Sequence, residues 1–210
     1  VYTADPRLVA KACKLPQITY AEMFEMAAQG AKVLQARSVE LAMKHKVKLR
    51  VLSSFVEVSG TDVVEERNFV ESTCISGIAD NQNEVRITVK GIPNQVGMVA
   101  EIFGSLAQNS IPLDMIVQNQ VIDGRVDLTF TLRQSDLERA QHVLKDLQKK
   151  LPFSHLEIDP DIVKISVIGI GMRSNLEMGS LLFKTLADHN IAIQLITTSE
   201  IKISVILDKQ

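Results

Sequence analysis

Residues 85–120 read VRITVKGIPNQVGMVAEIFGSLAQNSIPLDMIVQNQ, and most of that stretch recurs, altered, at residues 163–200 as VKISVIGIGMRSNLEMGSLLFKTLADHNIAIQLITTSE. Each copy runs from an alternating strand ending in Gly-Ile, through a polar turn, into an amphipathic helix and then a second strand. The leading valines, Val85 and Val163, lie 78 residues apart. The helix residues Phe103, Leu106, Ala107 and Ile111 recur 80 residues later as Phe183, Leu186, Ala187 and Ile191, so the second turn is two residues longer. A period of domain size means two copies of one small domain, not a solenoid of short repeats.

The first copy can be followed to its end. A strand at 85–90, a helix at about 96–108, a strand at 112–121, an Asp123-Gly124 hairpin turn, a strand at 125–132, a helix at 136–149 and a strand at 153–158 spell βαββαβ. That order is the ferredoxin-like split βαβ plan, which places the chain in the α+β class. The second copy supplies only strand, helix, strand and strand between residues 162 and 207, leaving one sheet edge open. The apolar segment TCISGIA at 73–79 lies outside the first βαββαβ and is expected to add a strand to that edge.

Upstream, residues 1–56 have a different character. VYTADPRLV reads as a strand end and a turn, with Asp5-Pro6 biased away from helix. Thr19 and Glu22 have capping-box spacing before a helix that Gly30 ends. A second helix at about 36–45 leads into a strand at 47–51, so the segment reads as the end of an α/β domain. Residues 57–72 are charged and turn-rich and are expected to be the linker. The predicted division is therefore 1–56, a linker at 57–72, a first repeat at 73–160 and a shortened second repeat at 161–210. The chain starts with Val1 and not Met, in what reads as mid-element, as a piece of something longer would.

Composition limits the partners. The 210 residues are 46% hydrophobic and 23% charged, with a formal net charge of −2. Such a chain carries no electrostatic footprint for nucleic acid, and aromatics at 4% leave none of the stacking platform that RNA-binding modules on this fold require. No apolar run approaches the ~20 residues of a bilayer span. Cys13 and Cys74 lie far apart without ligand spacing and read as reduced, partly buried thiols in a reducing cytoplasm. His45, His142, His155 and His189 are scattered, with no carboxylate or thiol at metal or catalytic spacing, and read as surface residues. No complete active site is visible.

The turn after the first strand is more informative. Residues 94–97 sit between a strand and a helix N-terminus, where free backbone N–H groups and the helix dipole favour an anion such as a carboxylate. Asp114 and Gln118, four apart on one strand, share a face and could hold an ammonium group. Carboxylate and ammonium recognition together describe an amino-acid site, although polar turns of this kind occur in every such domain.

The repeats resemble paired ACT domains. The motifs TADPR (3–7), EMAAQGAKVLQARSVELA (25–42), MIVQN (115–119) and TSEIKISV (198–205) are similar to those of the aspartate kinase family across essentially the whole chain. That resemblance implies that residues 1–56 end an amino-acid-kinase domain whose earlier part would carry the phosphate-binding and aspartate-binding segments. Tyr2, Asp5, Arg7, Lys32 and Val33 would then contact ATP, used with magnesium, and this chain alone would be catalytically inactive. The paired ACT domains would sense lysine and often threonine. Effector contacts carried over by position are Asn94, Gln95, Val96, Gly97, Met98, Val99, Asp114 and Gln118 in the first copy. In the second they are Met178, Gly179, Ala192, Ile193, Ser199 and Glu200. Asn94 stands where many relatives have Asp, and Ala192 where many have Asn, which puts threonine sensing in doubt. The same resemblance implies a homodimer, or a larger oligomer, built through the ACT domains. Two other readings remain: a free amino-acid-binding ACT module, and a purely dimerising regulatory piece.

Overall fold

A computed structural model describes residues 1–66, 75–173 and 177–209. The chain folds as two compact units: Val1–Asn81 with Lys164–Asp208, and Gln82–Val163 with Lys209.

The first unit opens with a short bridge between Tyr2 and Lys14 and a turn at residues 5–9. Strand β1 (Gln17–Thr19) then runs into helix α1 (Tyr20–Ala28). The capping box forms as its spacing predicts. Thr19 Oγ1 accepts from the Glu22 N–H at 3.2 Å, and the Glu22 carboxylate accepts from the Thr19 N–H at 3.1 Å. Gly30, at φ +123°, lies just past the end of the helix. Helix α2 (Ala36–Lys44) and strands β2 (Leu49–Val51) and β3 (Thr61–Val64) follow. Here the structure corrects the linker assignment, because β3 falls within the 57–72 segment. It is the middle strand of a three-stranded sheet, parallel to β1 and antiparallel to β2. Thr61 and Val63 turn inward while Asp62 faces out to pair with Arg50. Charged flanks and a length of four residues hide that alternation in the sequence.

Strand β4 (Gly77–Asn81) belongs to this unit as well. It pairs antiparallel with β9 (Ile162–Ile168), from Gly77 opposite Ile168 to Asn81 opposite Lys164. Helix α5 (Glu177–Asp188) and strands β10 (Ile193–Thr198) and β11 (Lys202–Asp208) complete a sheet of order β10-β11-β9-β4. The expected added strand is therefore present over Gly77–Asn81, while Thr73 and Cys74 lie outside the described residues. Ala79 of β4 and Ile168 of β9 join Ile18, Met23, Met26, Val39 and Val63 in one core. Residues 1–56 and the second repeat thus share a hydrophobic interior and are not packed as separate domains.

The second unit is a self-contained βαββαβ. It consists of β5 (Glu84–Pro93), α3 (Met98–Gln108), β6 (Ile116–Gln118), β7 (Arg125–Arg133), α4 (Leu137–Gln148) and β8 (His155–Asp159), with sheet order β6-β7-β5-β8. Asp123 (φ 50°) and Gly124 (φ 73°) are both left-handed, as a two-residue type I′ hairpin turn requires. The second strand is shorter than its expected 112–121 span. Val85, Ile87, Val89, Leu128, Phe130 and Leu132 present one face of the sheet to Ile102 and Leu106 of α3 and to Ala140 and Leu144 of α4. Phe103 meets Phe130 edge-on, with ring centroids 6.2 Å apart.

Candidate functional site

The residues expected at a nucleotide lie in the first unit. Asp5 and Arg7 form a forked pair: Arg7 Nη2 donates to Asp5 Oδ2 at 2.6 Å and Nε donates to Oδ1 at 3.0 Å. Those hydrogen bonds, with a smaller contribution from the Lys32 charge, hold the Asp5 carboxyl down at about 2. Asp5 therefore orients Arg7 while leaving its side chain 75% exposed. Tyr2 is 41% exposed and Val33 44%, and Lys32 is exposed in the turn after α1. An oriented guanidinium, an ammonium and an exposed ring suit a polyphosphate joined to a base. No group of three His, Cys, Asp or Glu side chains among the described residues is placed to hold a metal ion.

The first-copy effector residues lie in the second unit. Residues 94–97 form the turn from β5 to α3 and are exposed throughout, Val96 completely. Asn94 N–H donates to Gly124 O at 2.8 Å, and Gly97 begins α3 at φ +96° with no side-chain cap. The first-turn N–H groups of Val99 and Ala100 have no helical carbonyl to donate to, so the turn keeps its anion-binding character. Asp114, Ile116 and Gln118 share the exposed face of the edge strand, alternating with Met115 and Val117 turned inward.

The structure does not, however, bring Asp114 to the turn. Asp114 N–H donates to Thr131 O, and Thr131 pairs with Arg86, eight residues before Asn94 along β5. At about 3.3 Å per residue the two lie roughly 25 Å apart along the sheet, with β7 between the strands. Gln118 is closer to the turn, level with Leu128 and Val89. A single copy of this unit therefore does not assemble the carboxylate and ammonium contacts of one amino-acid site. Sheet order places β7 between β5 and β6, so shared facing along one strand does not bring Asp114 to the turn.

The second copy splits in the same way. Gly179 faces β11, where an added Cβ would sit in ordinary contact with Ile203 Cδ1 at 3.4 Å. Ile203 pairs with Thr198, next to the turn that holds Ser199 and Glu200, where Ser199 N–H donates to Lys202 O at 2.8 Å. Met178, Gly179, Ser199 and Glu200 thus gather at one end of the sheet. Ala192 and Ile193 lie at the other, Ile193 opposite Leu207, about 20 Å along β10.

Other features narrow the field. A cleft of about 850 Å3 on the three-stranded sheet is lined by Tyr20, Lys46, Lys48, Arg50, Asp62 and Glu65 among others, and none of the expected site residues lines it. The four histidines are exposed, as expected. Cys13 is an exposed free thiol and not partly buried; Cys74 lies outside the described residues. No helix among the described residues is long and apolar enough to cross a membrane. Sequence reasoning gave Glu22 only its capping role, yet it is fully buried and also accepts from Ser76 Oγ at 2.6 Å and Ile170 N–H at 2.9 Å.

Comparison with known proteins agrees with this architecture. The family model described as ACT domain matches residues 82–148 and 165–210, and that of the amino acid kinase family matches residues 1–53. An aspartate kinase of Pseudomonas putida is 44% identical over 211 residues, which is 100% of this chain and 51% of that protein. The chain spans about half the length of the curated relatives it matches. Among solved structures, Escherichia coli aspartokinase III in complex with lysine and aspartate superposes with a TM-score of 0.77 at 26% identity, over 99% of this chain and 46% of that one. The structure of aspartokinase alpha and beta subunits gives a TM-score of 0.60 at 37% identity, over 64% of this chain and 88% of that one.

Proposed function

This chain belongs to the ACT-domain family, and we propose that it is the regulatory region of an aspartate kinase together with the last segment of the kinase domain. The whole enzyme would transfer the terminal phosphoryl group of ATP to the side-chain carboxylate of aspartate, and this region would sense lysine or threonine. The observation that carries the reading is order: an amino-acid-kinase segment followed by two ACT copies, matched end to end by a 44%-identical aspartate kinase. The complex of aspartokinase III with lysine supports an amino-acid effector.

In this reading Arg7, oriented by Asp5, and Lys32 hold nucleotide phosphates, while Tyr2 and Val33 pack against base or ribose. The nucleotide would supply the phosphoryl group, and the magnesium used with it would offset phosphate charge. The effector carboxylate sits on the N–H groups at residues 94–99, and its ammonium group is met by a strand of another sheet. Asp114 and Gln118 on an exposed edge offer such a strand to a second molecule, which supports a homodimer or larger assembly. Met178, Gly179, Ser199 and Glu200 form the corresponding end of the second copy, with Ala192 and Ile193 facing another sheet. By the resemblance, Asn94 and Ala192 stand where many relatives have Asp and Asn, so threonine is the effector expected to bind weakly. An effector inhibits by binding the inactive arrangement better than the active one, with a coupling of about 1–3 kcal/mol.

Calorimetric titration of the 210-residue chain with lysine, and separately with threonine, tests the sensor role. Saturable binding of either supports it and names the effector. Heat of dilution alone with both removes it.

A further inference from the structure

Helix α1 carries two stripes. Met23 and Met26 enter the core, whereas Glu22, Glu25 and Gln29, spaced at i, i+3 and i+7, share a second face. Every member of that polar stripe meets the second ACT sheet or the segment before it. Glu22 Oε1 accepts from Ile170 N–H at 2.9 Å and Ser76 Oγ at 2.6 Å, while Oε2 accepts from Thr19 N–H and Oγ1. Glu25 Oε2 pairs with Lys202 Nζ at 2.9 Å, both side chains about four-fifths buried. Gln29 Oε1 accepts from Ser166 Oγ at 3.3 Å. Glu22 faces four donors, an arrangement a carboxylate satisfies and an amide would break. A surface needed only for adhesion would be apolar at lower cost, since buried polar groups must first recover their desolvation.

The two ends of this stripe reach the two sets of candidate ligand contacts within the unit. Gly169 N–H donates to Ile201 O at 2.9 Å, and the next N–H, that of Ile170, goes to Glu22; Ile201 and Lys202 directly follow Ser199 and Glu200. Past the other end of α1, Gly30 approaches Asp80 so closely that a Cβ there would lie 2.3 Å from the Asp80 carbonyl oxygen, and the chain continues into Lys32 and Val33. Strand β4 is fastened to the same region, with Ile78 N–H donating to Thr3 O at 2.8 Å, between Tyr2 and Asp5.

We infer that the Glu22–Glu25–Gln29 stripe of α1 couples the effector end of the second ACT copy to the nucleotide-contacting segment. Glu22 and the Glu25–Lys202 pair are positioning residues acting through Ile170 and Ile201. This rests on the functional reading above. Such coupling needs an element that both ends can bias, and α1 meets Ile170 and Lys202 along its polar stripe and continues into Lys32 and Val33.

The test is inhibition of the full-length kinase by lysine and by threonine, comparing the parent with Glu25→Lys, Lys202→Glu and the double swap. Each single variant should raise the half-inhibitory effector concentration by about tenfold or more. The double swap should return it to within about threefold of the parent, a rescue that simple loss of packing would not show. Should the swaps fail to fold, Glu25→Gln, which keeps shape and removes charge, carries the same expectation, and Glu22→Gln tests the buried carboxylate. A parent insensitive to both amino acids overturns the functional reading and this inference with it. A parent that is inhibited, with single variants equally inhibited or a double swap no better than either single, overturns the inference alone.

Discussion

The two ACT sheets share one plan and close it differently. In the first copy the place beside β5 is filled by its own β8, so the unit finishes within a continuous stretch of chain. In the second copy the equivalent place beside β9 is filled by β4, which precedes the whole first copy in sequence. The ladder from Gly77 to Ile168 therefore closes a loop that contains the entire first copy, at an entropic cost that grows only slowly with length but delays formation. The difference also changes what the fourth strand touches. β8 packs Leu156 and Ile158 against its own copy's core, whereas β4 is hydrogen-bonded to Thr3 and contributes Ala79 to the core around α1. A borrowed strand makes the second sheet part of the kinase segment's own fold.

The strongest way to break this contrast is to damage the self-contained copy. Phe130→Ala empties a fully buried position between sheet and helices and should cost about 3–5 kcal/mol in urea unfolding. Hydrogen exchange should show protection falling across Gln82–Val163 while the buried amides of Val205 and Ile206 in the other unit hold. Equal loss in both units would mean the first copy does not stabilise itself.

Ile78→Pro is the reciprocal experiment. It removes the N–H that reaches Thr3 O and leaves that carbonyl short of a donor, for a cost of about 1–3 kcal/mol. Protection should fall along β9 and in the segment around Tyr2, and should hold at Ile87 and Leu128. Protection of β9 unchanged from the parent would show that the second sheet does not depend on its borrowed strand.

How far the sequence could carry this picture follows the range of each interaction. The Thr19–Glu22 capping box and the Asp123-Gly124 turn are fixed by residues within a few positions of one another, and both form as their spacing predicts. The added strand was legible by counting, because a three-stranded repeat beside a four-stranded one leaves an edge that some apolar segment must fill. Thr61–Val64 was not legible, because its status as a central strand comes from Gln17–Thr19 on one side and Leu49–Val51 on the other. The separation of the candidate site residues within one copy was hidden for a similar reason. Spacing puts Asp114 and Gln118 on one face, but only sheet order shows that β7 stands between them and the 94–97 turn. Glu22 satisfied a local rule so well that its long-range bonds to Ser76 and Ile170 left no trace in the pattern.

The two Gly-Ile segments sharpen the comparison at a smaller scale. Gly91 is left-handed at φ 67°, and the β5–β7 register shifts between Val89 and Ile92. Its repeat partner Gly169 is not among the described left-handed glycines, and its N–H goes to Ile201. Gly91→Ala meets both that backbone conformation and Ser154, whose Oγ at 2.2 Å can rotate away but whose Cβ at 3.1 Å must shift slightly. The expected cost is about 1–2 kcal/mol, read as a lowered urea midpoint with unchanged slope. An unchanged midpoint would show that the bulge can relax, and that the two copies differ less there than their backbones do.

The smallest effect concerns what holds that bulge. Asp127 Oδ1 accepts the Gly91 N–H at 2.9 Å and Oδ2 meets Lys90 Nζ at 2.9 Å. The Gly91 hydrogen bond, then the Lys90 contact, push the Asp127 carboxyl below its ordinary 3.8, against the opposing effect of desolvation. A carboxyl whose folded value is depressed adds stability that is fully present above the unfolded value and is lost as pH falls through the folded one. Stability of the first copy should therefore decline below about pH 4, and Asp127→Asn should remove part of that acid sensitivity. Because both side chains are more than a quarter exposed, the loss at neutral pH should be no more than about 1 kcal/mol. In the second copy the Ser166–Ser204 contact at 2.8 Å matches Thr88–Thr129 at 3.0 Å in the first, and the Asp127 position is held by Lys202, so no matching carboxyl is expected to titrate there. Parallel acid titrations of Phe130→Ala and Asp127→Asn, followed by exchange at Val89 and Val205, would place any shared transition outside the bulge and so limit the contrast to packing.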